Sequence, residues 1–536
     1  MQPARYFHTI RFLKFEQIYF QIYYKLSAKL CSVLRLKSNY DCYKKGTPVE
    51  LGELPCKPAT YCGENVFSFL NISHKFNGVW DERANGDLWR YNLNYMDFLL
   101  QPSLSVEEKC AWIESFIDSA NGNRIANDPY PISLRGINWI KFVSSHKKEL
   151  SGEFLKKTDT FLYSQYLMLY KRPERHLLAN HYLENAFSLL FAAVYFGDEK
   201  IWKKAESILE KQLPEQILSD GAHFELSPMY HCVILERVLD CYNLLCNNRV
   251  GNLFTGADAL CNLILKKAQA MLSWLDAIVV ADDRIPLLND SAENVALSPS
   301  ALRSYARSLK IEWGEGRLGE SGYRRIVKEN YATILDVAPL GVSYNLGHSH
   351  ADTGTFLVWC KERPLLVDTG TSTYNAGERR DYERSTRAHN TVVVNGRNSS
   401  DVWGAFRCAK RATVNLLNDG PDCFEMQHNG YGDFSCYRKF LFNNDALCVV
   451  DTIKDGNSEA VAYFHLAPDV KILNVGADKV VTDVAVFSFK GAHSVNVENV
   501  EVAKEYNSLH PSLCICVAFK DTLETIIGDF KLKEIL

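Results

Sequence analysis

Hydrophobic and polar positions along this chain follow two different periods. From residue 105 to about residue 275, apolar residues recur three and four apart, the spacing of a helix with one buried face. Leu134–Phe142, Phe154–Tyr170, His176–Phe196, Ile201–Leu213, Met229–Cys246 and Ala257–Leu275 all carry that spacing. Ser105-Val-Glu-Glu108 has the form of a capping box and opens a further helix. Connections are short, which predicts antiparallel helix hairpins. Near Gly319–Gly322 the period changes. Alternating or β-branched runs follow at Tyr331–Val337, Thr355–Trp359, Thr391–Val394, Ala446–Val450 and Val480–Phe487, separated by Gly, Asn and Asp, and these predict strands. A helical half and an all-β half predict two domains, 61–320 and 321–536, behind an N-terminal helix and linker at 1–60. A ligand is expected in the cleft between them.

Composition narrows this picture. A chain of 536 residues can bury the cores of two or more domains. Its net charge of −4 argues against a nucleic-acid binder, so an acidic ligand would need a locally basic cleft. The sixteen cysteines are scattered without a CxxC pair, which fits small buried residues in a reducing compartment. The aromatic and basic N-terminus lacks the apolar core and cleavage site of a signal peptide, and no apolar run reaches the length of a membrane span. Residues 9–35 predict an amphipathic helix that packs on the body of the protein, with a membrane surface as the other reading.

Candidate chemistry concentrates between Gly347 and Gly396. In a strand, His348 and His350 of Gly347-His-Ser-His-Ala-Asp352 would share a face. Asp368 ends the run Pro364-Leu-Leu-Val, and His389 closes an Arg/Ser/Thr-rich stretch. Two imidazoles and a carboxylate make a nitrogen/oxygen metal site, against the plainer reading of hydrogen-bonded core histidines. In the helical half, His181 and Glu184 of Asn180-His-Tyr-Leu-Glu184 share a helix face. In Asp220–His231, Ser227 and Pro228 suit the cap and first turn of a helix, which puts Tyr230 at its mouth. Asn289-Asp290 reads only as a polar loop.

Several of these motifs, in this order, resemble the heparinase II/III-like polysaccharide lyases from about residue 75 to residue 415. The resemblance is carried by Trp89-Arg-Tyr-Asn-Leu, Ser133-Leu-Arg-Gly-Ile-Asn-Trp-Ile140, Asn180-His181, Asp220–His231, Gly347–Asp352, Leu366-Val-Asp368-Thr-Gly, Arg384–Thr391 and Trp403–Arg407. It implies an incomplete (α/α) toroid followed by an antiparallel β-sandwich. The implied activity is β-elimination at a uronic acid of an acidic polysaccharide. Asn180 and His181 then match the groups that neutralise the uronate carboxylate, with Glu184 orienting His181. Tyr230 and His348 match the acid/base pair, with their division of labour left open. His350, Asp368 and His389 match positions that hold a structural Zn2+ in some relatives. Arg135, Arg384 and Arg407 are candidates for substrate carboxylate or sulfate, and Tyr374 for a sugar hydroxyl.

Relatives that degrade external polysaccharide are exported to the cell envelope or beyond; the cysteines and the missing signal peptide leave a cytoplasmic site open. The basic aromatic N-terminus also resembles family members associated with making surface polysaccharide. A homodimer is a further open expectation. Two other classes stay in play. An inverting glycoside hydrolase on a similar toroid would need two carboxylates across the cleft. A non-catalytic polysaccharide-binding or assembly protein would bind without turnover.

Overall fold

The computed structural model describes residues 2–33, 43–432, 434–454 and 458–530. Where one N-terminal helix is expected there are two, Gln2–Ile10 (α1) and Phe15–Val33 (α2), with the break at residues 11–14. They lie across both halves of the molecule. Tyr24 of α2 donates its hydroxyl proton to the Pro173 carbonyl at 2.7 Å, in the helical half. Arg5 of α1 pairs with Asp401 at 2.6 Å, in the β half. A small hairpin follows, Val66–Phe69 (β1) with Ile72–Lys75 (β2).

The helical half comprises Asp87–Tyr95 (α3), Val106–Ser119 (α4), Pro129–Ser145 (α5), Gly152–Lys171 (α6), Ala179–Phe196 (α7), Glu199–Gln216 (α8), Pro228–Asn247 (α9), Ala257–Ile278 (α10) and Pro299–Ser308 (α11). The capping box at Ser105 closes on Glu108 in both directions. Successive helices pack side by side and α7 runs through their centre, so nearly all its side chains are buried. A helix apolar on every side needs such a place. It begins three residues later than its apolar pattern, because Leu178 and Ala179 adopt positive φ (60° and 49°).

The β half opens with a four-stranded antiparallel sheet, Tyr323–Val327 (β3), Ala332–Asp336 (β4), Phe356–Cys360 (β5) and Arg363–Leu366 (β6). A short helix, Glu378–Glu383 (α12), precedes Val392–Val394 (β7). The pair Val402–Trp403 (β8) and Arg407–Cys408 (β9) comes next. A larger sheet then contains Val414–Gly420 (β10), Cys423–His428 (β11), Cys436–Phe442 (β12), Ala446–Ile453 (β13), Ala460–His465 (β14), Ile472–Val475 (β15), Lys479–Thr482 (β16), Val486–Glu505 (β17) and Ser508–Gly528 (β18). Its order is β10-β11-β12-β13-β18-β17-β16-β15, with β14 joining β18 to β7.

Period-two alternation gives the first sheet two uses. Leu335, Phe356 and Val358 face the larger sheet and share a core with Phe440, Val449 and Ile515. Ile334, Leu357 and Trp359 face the other way, onto Trp274 and Ile278 of α10. The sandwich is thereby fixed to the toroid by apolar burial. The run Val480–Phe487 is two strands, not one. Thr482 Oγ1 accepts the N–H groups of Val484 and Ala485 and turns the chain between β16 and β17.

Candidate active site

A cleft of about 1070 Å³ lies between the two halves, lined by Asn180, His181 and Tyr230 from the toroid and His348, Tyr374 and Phe406 from the sandwich. Three short segments deliver the toroid's share. Each is preceded by a non-glycine residue at positive φ: Leu178 and Ala179 before Asn180, Leu226 before Tyr230, Asn289 before Asp290. Such conformations cost about 1–3 kcal/mol each and persist only where the surroundings impose them. Ser227 caps α9 through the Tyr230 N–H at 3.2 Å and donates its hydroxyl to the Asp290 carbonyl at 2.7 Å, which ties two of the segments together.

His348 and His350 lie in an irregular loop ahead of β5, not in a strand. They still reach one common partner, Asp290. Its carboxylate accepts from His348 Nδ1 at 2.9 Å, from His350 Nε2 at 2.8 Å, and from both terminal nitrogens of Arg380 at 2.5 and 2.7 Å. Burial acts to raise the Asp290 pKa, but the Arg380 guanidinium and the two imidazole donors outweigh it and hold the group well below the usual carboxylate range. With Nδ1 engaged by this carboxylate, Nε2 is the ring nitrogen left to act on a ligand, and it lies 3.5 Å from Asn180 Nδ2 and 3.9 Å from Glu225 Oε2.

Tyr230 lies against the His348 ring, with centroids 3.9 Å apart, and its hydroxyl is 3.3 Å from that of Tyr374. Burial first, then the neighbouring Tyr506, Asp290 and Glu225, push the Tyr230 phenol well above its ordinary pKa of 10. It is therefore a neutral proton donor at any ordinary pH. Asn180 donates its side-chain N–H to Glu225 at 2.8 Å and sits 3.5 Å from His348 Nε2. Its Oδ1 is buried without a protein partner. Burial opposes ionisation of Glu225, yet nearby His348 and His223 and the Asn180 hydrogen bonds keep its pKa below the usual value.

His181 stands beside Asn180 with Nδ1 3.2 Å from Glu174 and its ring 4.5 Å from that of Tyr130. Burial disfavours its charged form, but Glu174 more than compensates and the pKa is raised. Glu184 does not orient it. The Glu184 carboxylate is buried and takes Arg237 Nε at 3.0 Å, since an unpaired charge at that depth would be far costlier than a missed contact with His181. Glu174, from the loop before α7, fills that place.

The three candidate arginines lie outside the cleft lining. Arg135 is buried in the toroid, donating to the carbonyls of Asn94 and Ala126 and to Gln165. Arg384 is likewise buried and clamps the loop of His348 through the carbonyls of Leu346, Ser349 and Gly404. Arg407 is exposed and rests on the Trp403 ring at 4.7 Å. Only Tyr374 of the four substrate-binding candidates reaches the cleft.

The proposed metal ligands are close but paired otherwise. His389 Nδ1 donates to Asp368 at 2.7 Å, and the His350 and His389 rings are 5.3 Å apart. His350 Nδ1, His389 Nε2 and Asp352 Oδ2 are buried without partners. These donor types suit zinc. No three His, Cys, Asp or Glu side chains among the described residues converge as a ligand set.

Asp290, Glu225, Arg380 and Glu174 are the site residues that motif reading passes over. Glu225 had the clearest signal, since it lies inside the Asp220–His231 motif.

The chain is thus a helical toroid carrying an antiparallel sandwich, with Tyr230, His348 and Asn180 together at the seam. The solved structure of a heparinase III superposes with a TM-score of 0.61 over 82% of this chain and 76% of that one, at 16% identity, which speaks for the fold. The models of the heparinase II/III N-terminus and the heparinase II/III-like C-terminal region match residues 106–311 and 313–528, and the chain belongs to the heparinase II/III-like family. It is similar to the heparin-sulfate lyase of Bacteroides stercoris, at 23% identity over 434 residues covering 70% of this chain and 63% of that one. The heparin-sulfate lyase of Pedobacter heparinus matches at 26% over 327 residues, covering 54% and 46%. This chain thus spans about half to two thirds of the length of those relatives.

Proposed function

We propose that the chain is a lyase that cleaves a uronic-acid-containing polysaccharide by β-elimination. The observation that carries this reading is the meeting of Asn180, Tyr230 and His348 in one cleft, with His348 Nδ1 on Asp290, the Asn180 amide on Glu225 and the Tyr230 hydroxyl beside that of Tyr374. His348 Nε2, opposite an Nδ1–H held by Asp290, takes the proton from C5 of the uronate. The electron pair forms the C4–C5 double bond as the C4–O bond breaks. Tyr230 gives its phenolic proton to the departing oxygen. Return of the proton from imidazolium to phenolate, across rings already in contact, restores both groups.

The C5 proton is acidic enough only if the carboxylate charge is neutralised. Asn180 supports this by placing its side-chain amide, held by Glu225, on the cleft wall beside His348. Glu225 beside it favours a protonated carboxyl by like-charge repulsion. His181 adds positive charge.

The cleft is not strongly basic. Lys25, Lys57, Arg172 and Arg237 line it against the carboxylates of Asp87, Asp97, Asp128, Glu174 and Glu236, and Lys57 and Arg237 are already paired with Glu236, Glu184 and Asp240. This favours a polymer with few or no sulfates. His350, Asp368 and His389 would hold a zinc ion, whose contribution would be to brace the loop that carries His348. Placement in the cell envelope is likewise proposed, from the kind of substrate alone.

An absorbance screen against heparan sulfate, alginate, chondroitin, hyaluronan and bacterial uronate glycans tests the reading. A new ultraviolet-absorbing double bond supports it. New reducing ends without that absorbance would replace it with a hydrolase, and tight binding without turnover with a binding protein.

A further inference from the structure

The N-terminal helix pair carries an apolar face that none of the described residues covers. Phe15, Tyr19, Ile22, Tyr23 and Leu26 of α2 are exposed, Phe15 by 80% and Leu26 by 62%. At 3.6 residues per turn these positions form one stripe. Gln17 and Tyr24, on the opposite side, are buried against the body. α1 adds exposed Tyr6, Phe7 and Ile10. Other exposed large apolar residues are spread thinly over the rest of the described chain, which is the ordinary condition of a surface.

Charge selects the occupant. Residues 2–33 carry five basic side chains and one acidic, in a chain whose net charge is −4. Arg11, Lys25 and Lys29 are exposed, while the single acid, Glu16, is held by Arg175 at 2.7 Å. A second copy of the chain would bring the same cations against each other in a twofold contact. A negatively charged lipid surface meets both features, with tyrosines at headgroup depth, apolar side chains below them and lysines at the flank. No helix among the described residues is long and apolar enough to cross a membrane, so the contact would lie in the plane of the surface.

We infer that α1 and α2 dock the protein on an anionic bilayer surface. Gln21 and Lys25 of the same helix line the rim of the cleft. Docking therefore holds the cleft mouth at the lipid surface, where it meets glycan close to the membrane.

The test is flotation of the full chain with vesicles of phosphatidylcholine alone and of phosphatidylcholine mixed with phosphatidylglycerol. Binding to the mixed vesicles, weakened by salt and reduced about tenfold or more by Phe15→Asn, Ile22→Asn and Leu26→Asn together, is expected. Circular dichroism of that variant checks that α2 persists. As an independent readout, Tyr19→Trp gains fluorescence quenching by lipids brominated on their acyl chains, relative to the parent. Absence of binding to the mixed vesicles overturns the inference. So does undiminished binding by the folded triple variant, or a self-association that the triple variant abolishes while no vesicle binds. None of these results depends on turnover, so they stand apart from the lyase reading.

Discussion

Replacing Asp290 by Asn removes one charge and leaves the shape unchanged, so it tests what that carboxylate does. In the parent it is buried and accepts from Arg380, His348 and His350. Without the charge, Arg380 becomes an uncompensated buried cation, which costs about 3–5 kcal/mol of stability. Because folding depresses the Asp290 pKa, its contribution is present above the ordinary carboxylate value and is lost only as pH falls through the depressed one. The stability gap between parent and variant should therefore persist from neutrality well into mild acid. Catalysis suffers separately. An amide can donate toward Nδ1 of His348 and favour the tautomer whose Nε2 carries a proton, which disables the base. Loss of a carboxylate in the equivalent relation to a catalytic histidine lowers kcat by about 10⁴, or roughly 5.5 kcal/mol of barrier. Urea unfolding reads the first effect, and initial rates of double-bond formation on the best substrate read the second. Adding Arg380→Met to Asp290→Asn should recover much of the stability and none of the rate. A single variant within tenfold of parental turnover would refute the tautomer argument, and one with unchanged urea midpoint would refute the buried-pair argument.

Other outcomes follow from the same geometry. Tyr230→Phe and His348→Ala should each abolish double-bond formation while leaving the melting temperature within a few degrees; unchanged rates would remove that residue from the mechanism. His181 has a raised pKa, so its charge is kept to higher pH than in an ordinary imidazole and fades as pH rises through the shifted value. KM should rise over that upper range, and His181→Gln should flatten the profile; a flat parental profile would contradict the role. Arg384→Met should weaken folding through three lost carbonyl contacts yet leave KM within a few-fold at a temperature where both proteins are folded. A selective KM defect would return Arg384 to the substrate. Elemental analysis of the purified protein should find zinc, and His350→Ala should lose it; full retention would dismiss His350 as a ligand.

The two periods of the chain made both halves legible, because each half buries its own core along regular elements. Tyr230 was legible through Ser227 and Pro228, whose cap and first-turn roles fix where the third helical residue points. Asp290 was not, because its significance is entirely long-range: no local spacing joins a loop of the toroid to His348, His350 and Arg380. Arg135 and Arg384 misled for the opposite reason. An arginine in a polar motif looks like a ligand for anions, but these two are surrounded by main-chain oxygens, and neutral carbonyls leave no trace in side-chain pattern. Glu184 shared the face expected from its spacing to His181. A stronger partner, Arg237 of α9, lay across the helix packing, where sequence spacing does not reach.

Asp290 belongs to the toroid, and its partners His348, His350 and Arg380 all belong to the sandwich. Swinging the halves apart at this point would break a doubly hydrogen-bonded buried ion pair and two imidazole contacts at once. The molecule is thus bolted at the point where jaws would need to gape. On the lyase reading proposed above, a glycan would slide into a slot of set width, and selection among polymers would fall to girth and branching before any chemistry begins.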